Sequence, residues 1–112
     1  MIFAFLLSWP GVPFLYYGDE IGMRFLRGLP SKEGGYGRTG TRTPMQWTDD
    51  EDAGFSDAPR KAWYLPPDPA PDRPSVAAQR NASDGLWQHV RALVRARRNL
   101  SALAVDADVA SY

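Results

Sequence analysis

Arg42-Thr43-Pro44-Met45-Gln46-Trp47 is the densest chemical cluster in the sequence. An arginine fork can hold a carboxylate and a hydroxyl at once. The amide of Gln46 both donates and accepts, and Trp47 offers a flat apolar face. Together these suit a ligand with many hydroxyls and apolar C–H faces. The same residues equally suit a loop stapled by an arginine ion pair and anchored by a tryptophan, and residue types alone leave the two readings open. Gly18-Asp19-Glu20 sets two carboxylates side by side. Paired carboxylates can do acid/base work on a glycosidic bond, yet neighbours at a strand end point to opposite sides. A turn whose carboxylates hold nearby backbone N–H groups or arginines is the favoured reading. Asp49-Asp50-Glu51-Asp52 with Gly54 invites a calcium loop. With Gly54 at loop position six, Ala53 falls on a ligand position and Arg60 on the last, where a bidentate Glu is needed. A solvated acidic turn is expected instead.

The remaining reactive types are sparse. His89 is the single histidine and lies inside a helical pattern, so it reads as a surface or satisfied helical residue. Asn81-Ala82-Ser83 and Asn99-Leu100-Ser101 match the glycosylation sequon but read better as a helix cap and a helix end. There is no cysteine, which removes disulfides, thiol nucleophiles and zinc–thiolate sites. No cofactor and no metal are expected. The absence of cysteine fits a reducing compartment, so a cytoplasmic location is expected.

The elements that must position these residues are bounded by 112 residues, enough for one small domain and not two. Thirteen basic and thirteen acidic residues give zero net charge, which argues against a nucleic-acid partner held by bulk charge. Aromatics at 12% argue against disorder. Residues 1–17 are almost wholly apolar, but the first basic residue is Arg24, and Pro10 and Pro13 break the run. A signal peptide needs a basic start and a span needs ~20 apolar residues, so neither a signal nor a membrane anchor is expected. The run reads as buried core, and a chain opening inside a core pattern reads as a piece of a longer one.

Residues 2–8 (IFAFLLS) fit a strand or the end of a buried helix, and periodicity cannot decide. Trp9-Pro10-Gly11 is a turn signal. Residues 12–17 (VPFLYY) read as a strand buried on both faces, as in parallel sheets. From 18 to about 82 no period is sustained, with glycines early and prolines late. So long a loop in a compact domain is normally functional. Residues 83–99 are the clearest helix, with Leu86, Val90, Leu93, Val94 and the Arg97 stem on one stripe. Asn81, Ser83 and Asp84 offer N-caps, and Arg95, Arg97 and Arg98 suit its C-terminal end. Residues 102–110 partly alternate and could begin a strand.

Four segments recur together in one known family: GVPFLYYGDEIGM (11–23), GTRTPMQW (40–47), AGFS (53–56) and YLPP (64–67). On them the chain resembles glycoside hydrolase family 13, the alpha-amylase family, over residues 1 to about 103. The likeness is nearest to its alpha-glucosidase, oligo-1,6-glucosidase and trehalose synthase branch. The resemblance implies an α/β fold, the C-terminal fragment of a (β/α)₈ TIM barrel leading into an all-β domain. Residues 1–101 would be barrel, with 1–8 ending its seventh helix, 12–17 its eighth strand, 18–82 the following loop on the catalytic face and 83–99 its eighth helix. Residues 102–112 would begin the β-rich C-terminal domain.

The resemblance also implies retaining chemistry, with a carboxylate nucleophile, a carboxylic acid and a covalent glycosyl-enzyme intermediate. None of the family's motifs for those groups is in this chain, so no catalytic residue is assigned. Arg42 carries over as a substrate-binding residue: its counterpart pairs with an early-barrel Asp and bonds the non-reducing-end glucose. The expected partner is an alpha-glucosidic oligosaccharide or disaccharide, with no nucleic acid and no membrane. The remainder of the barrel would lie upstream, and the fragment alone would be inactive. The alternative from a different class is a stand-alone, non-catalytic module that binds carbohydrate or complements a partner barrel.

Overall fold

The structure, a computed structural model, describes residues 1–32, 34 and 37–107. Three α-helices and four 3₁₀ turns make up its regular structure among those residues. The opening apolar run forms a helix, α1 (Ile2–Ser8). It carries one β-branched residue and good helix formers in Ala4, Leu6 and Leu7. It stops at Trp9, extended at φ −85° and ψ 138°, because the Pro10 ring disfavours a helical residue before it. Gly11 completes the expected turn at φ 101°.

The buried-core reading of the N-terminal run is corrected. Leu7 is the buried residue of α1, while Ile2 and Phe5 are largely exposed. The strand expected over 12–17 is also corrected: no strand forms among the described residues, and Phe14 is 85% exposed. A strand exists only when its N–H and C=O groups pair with a neighbour. No other described segment supplies that ladder.

The long loop contains a helix that its proline-rich composition conceals, α2 (Val76–Asn81). Ser75 caps it, its Oγ accepting from Ala78 N at 3.0 Å and donating to Asp49 Oδ1. The main helix, α3 (Leu86–Arg98), starts three residues later than expected. Its N-cap is Gly85 and not Asn81, Ser83 or Asp84. The cap bond comes from α2, where Gln79 Oε1 accepts from Trp87 N at 3.3 Å. A Cβ on Gly85 would lie 2.8 Å from that oxygen, so glycine is needed here for space. The apolar stripe and the basic last turn of α3 stand as expected.

Arg97 joins the two ends of the described chain. Its guanidinium donates to Leu7 O at 3.0 Å, to Trp9 O at 2.7 Å and to Gly11 O. These are the carbonyls that a helix end and a turn leave open. Ser101–Leu103 forms a 3₁₀ turn and residues 104–107 continue without a strand. The rest of the strand suggested for 102–110, and of the domain expected over 102–112, lies outside the described residues.

Buried apolar residues are few and scattered: Leu7, Ile21, Ala53, Leu65 and Val90. The radius of gyration is 17.2 Å, against about 13 Å for a compact domain near this length. Accessible surface is 8181 Å², against roughly 6,200 Å² for a folded monomer of this mass.

Candidate functional site

The loop reaches its shape through backbone bonds between distant turns. Leu26 N donates to Gly40 O at 3.1 Å, and a Cβ on Gly40 would overlap the Leu26 carbonyl. This close approach leads into the 3₁₀ turn Gly37–Thr41, after which Arg42 N donates to Thr39 O at 3.0 Å. Downstream, Trp47 N and Thr48 N both donate to Ala53 O, at 2.8 and 3.1 Å. Ala53 is buried at φ 52°, and Gly54 follows at φ 61°.

Arg42 is exposed and borders two cavities. One, of about 390 Å³, is also lined by Tyr16, Arg24, Phe25 and Arg38. The other, of about 190 Å³, is also lined by Phe55, Trp63 and Tyr64. Tyr17, Arg42 and Thr43 are common to both and form the wall between them.

Tyr17 ties that wall to the end of the apolar run, its Oη donating to Thr43 O at 3.0 Å across 26 residues. Its ring sits 4.6 Å from that of Tyr16. Burial pushes the Tyr17 phenol above its ordinary value, with a contribution from the Tyr16 hydroxyl, while the charge of Arg42 pulls it partly back.

Arg24, which sequence reasoning passed over, is held rigidly on the first cavity. Its Nε donates to Asp68 at 2.7 Å and both Nη groups donate to Asp72 at 3.1 Å. Asp68 is itself buried and also accepts from Ala70 N at 2.9 Å. These carboxylates raise the Arg24 pKa, keeping its charge fixed. The signal missed was long-range pairing: a lone basic residue after an apolar run, matched by acids 44 and 48 positions on.

The six-residue cluster divides. Arg42, Thr43, Pro44 and Met45 line the cavities, whereas Gln46 is buried away from them and its Nε2 donates to Pro74 O. Backbone at Gln46 and Trp47 receives Val76 N and Ala77 N at 2.9 and 3.0 Å, anchoring the start of α2. Gln46 Oε1 is buried without a hydrogen-bond partner among the described residues.

Asp19 accepts from Tyr16 N at 3.1 Å and Glu20 from Gly18 N at 2.9 Å, so both carboxylates serve their own turn. The acidic turn is held by arginines: Arg60 donates to Asp52 Oδ1 at 2.8 Å, and Arg73 to the carbonyls of Asp49 and Asp50. Among the described residues no group of acidic, His or Cys side chains is placed to hold a metal. His89 is exposed on α3. Asn81 ends α2 and Asn99 is the C-cap of α3. No helix among the described residues is long and apolar enough to cross a membrane.

The sequence profile of the alpha-amylase catalytic domain matches residues 1–106. Over 108 residues the chain is 44% identical to the trehalose synthase/amylase TreS of Mycobacterium tuberculosis, covering 93% of this chain and 17% of that protein. It is 46% identical over 67 residues to the trehalose synthase of Thermus thermophilus, covering 60% of this chain and 6% of that one. It is 33% identical over 99 residues to maltase A2 of Drosophila melanogaster, covering 88% of this chain and 17% of the maltase. The chain therefore spans about a sixth of the length of most of these relatives.

Proposed function

The chain belongs to the alpha-amylase family through its catalytic domain, and from that premise we propose that it forms one wall of the substrate pocket in a retaining enzyme acting on short α-linked glucosides. Residues 1–101 are the closing part of its barrel, and 102–112 lead into a β-rich domain. The observation that carries the reading is Arg42. It stands on the wall between two adjoining cavities, inside the segment most specific to the glucosidase and trehalose synthase branch.

In the retaining mechanism a carboxylate attacks the anomeric carbon while a carboxylic acid protonates the leaving oxygen, and water or an acceptor sugar then releases the glucosyl-enzyme. Those two groups come from the remainder of the barrel. The contribution of this segment is binding and orientation. Arg42 holds hydroxyls of the glucose at the non-reducing end and pairs with an acid from an earlier strand, which closes the pocket behind one unit. Tyr17 fixes the backbone just after Arg42, and Gly40 admits the tight approach just before it. The relatives named for trehalose synthesis and as a maltase make maltose and trehalose the first substrates to try.

The test is kinetic, in the intact enzyme that carries this segment. Arg42→Ala is expected to lower kcat/KM on maltose about 30-fold, the equivalent of ~2 kcal/mol for a charged hydrogen bond removed from bound substrate. Unchanged efficiency would reduce Arg42 to a structural residue. The 112 residues alone are expected to be inactive on both sugars, and turnover by them would overturn the division of labour.

A further inference from the structure

We infer that Arg24, gripped by Asp68, is a positioning residue that fixes the placement of Arg42; this inference rests on the α-glucoside reading above. Arg42 is exposed and follows a short 3₁₀ turn, and no α-helix or strand among the described residues carries it. Segments of this kind open more easily than helices and strands. A binding group displaced by about 1 Å can lose most of its effect. Contacts from outside the segment must therefore hold Arg42 in place.

Both flanks of Arg42 lead back to one ion pair. On the N-terminal side, Gly40 O accepts from Leu26 N at 3.1 Å, and the Phe25 ring lies against Gly40. Arg24 immediately precedes these two residues, and its Nε donates to Asp68 Oδ2 at 2.7 Å. On the C-terminal side, Trp47 N and Thr48 N donate to Ala53 O, and Ala53 N donates to Asp50 O at 2.8 Å. Arg73 bridges the carbonyls of Asp49 and Asp50 to that of Asp68, the last at 3.2 Å. Asp68 is the residue where the two flanks meet, its carboxylate tied to one and its carbonyl to the other.

The two acids on Arg24 do not contribute equally. The Asp68 side chain is buried, whereas that of Asp72 is largely exposed. A buried carboxylate that loses its cation becomes an uncompensated charge, while an exposed pair contributes little. Loss of Arg24 would therefore draw Asp68 toward water and release residues 24–26 and 68–73 together. The Arg24 Nε and both Nη groups are already engaged by the two acids. Its part in substrate recognition then comes through the loop and not through contact with the sugar.

The test is a double-mutant cycle in the intact enzyme, read as kcat/KM on maltose, with circular dichroism to follow the fold. Arg24→Ala is expected to lower kcat/KM about tenfold by displacing Arg42. In the Arg42→Ala background the same change is expected to alter kcat/KM by less than about twofold, because the group it positions is gone. Asp68→Asn should behave as Arg24→Ala does in both backgrounds, with a larger loss than Asp72→Asn. A general structural role, or direct contact with the sugar, would give the same loss in both backgrounds. Such additivity, or unchanged efficiency in Arg24→Ala, overturns the inference. Should Arg24→Ala misfold, Arg24→Lys keeps a charge beside Asp68 without the planar fork that grips two acids, and is expected to lose about threefold in wild type and nothing further in Arg42→Ala. An Arg42→Ala enzyme as efficient as wild type overturns the reading of Arg42, and this inference with it; a loss in Arg42→Ala to which that of Arg24 simply adds overturns this inference alone.

Discussion

Tyr17 shows how a single side chain can connect parts of the chain that the sequence keeps apart. Its hydroxyl reaches Thr43, and Thr43 follows the arginine on which the proposed function rests. Tyr17→Phe removes one hydrogen bond while keeping the ring, and is expected to cost about 1 kcal/mol of stability. The pH dependence has a definite sign. In the folded chain the phenol holds its proton more tightly than usual, so below about pH 10 both states are protonated and stability is unaffected. Above that the unfolded chain ionises first, and stability falls until the folded phenol ionises as well. Thermal melts of the intact protein between about pH 9 and pH 11 should fall more steeply for wild type than for Tyr17→Phe; equal slopes would show that Tyr17 is not held as described. Gly40 is the second residue of this kind. Any side chain there meets the Leu26 carbonyl, so Gly40→Ala is expected to move Arg42 and weaken maltose binding more than it lowers the melting temperature.

Among the elements, the junction of α2 and α3 is the clearest case of structure built by neighbours. The cap of α3 is supplied by Gln79 from α2, in the room left by a glycine. Gly85→Ala should therefore cost about 1 kcal/mol, the usual value of a lost N-cap. Adding Gln79→Ala should cost little more, because both changes remove the same bond. Urea unfolding of the two single variants and the double variant reads this directly, and additive losses would rule out the shared cap. The helical stripe of α3 was legible because its apolar side chains recur at helical spacing. Its start was not, because Asn81, Ser83 and Asp84 each look like a local cap while the real one comes from another helix. The helix α2 was obscured by prolines on its N-terminal side, although Ser75 before VAAQR is a cap signal.

For the molecule as a whole, the surface is too large and the core too thin for 112 residues folding alone. Ile2, Phe5, Val12 and Phe14 are exposed together along the N-terminal stretch, and apolar patches of that kind mark contact surfaces. In the barrel proposed here they face the missing strands and helices. The isolated chain should therefore bind a hydrophobic dye and self-associate, and the intact protein should do neither. Monomeric, dye-free behaviour of the 112 residues would count against the fragment reading. Arg97 holds α1 in place through carbonyls 86 to 90 positions away. Arg97→Met should raise amide exchange across residues 2–11 and leave the turns near Ala53 as protected as before.

Local rules were enough to read the stripe and basic end of α3, the stop of α1 at Trp9-Pro10-Gly11, the turn-serving roles of Asp19 and Glu20, and the family carried by four short motifs. Each of these depends on spacing along the chain or on residue type. The tertiary structure alone decided that the apolar run 12–17 lacks a strand partner among the described residues, that Arg24 is clamped by Asp68 and Asp72, and that Gln79 caps α3. It also decided that Arg42, Tyr17 and three aromatic rings meet around adjoining cavities. Those outcomes depend on pairings between residues distant in sequence. A hydrogen bond or a shared wall forms only when folding brings its two sides together, and neither side carries a local mark of the other.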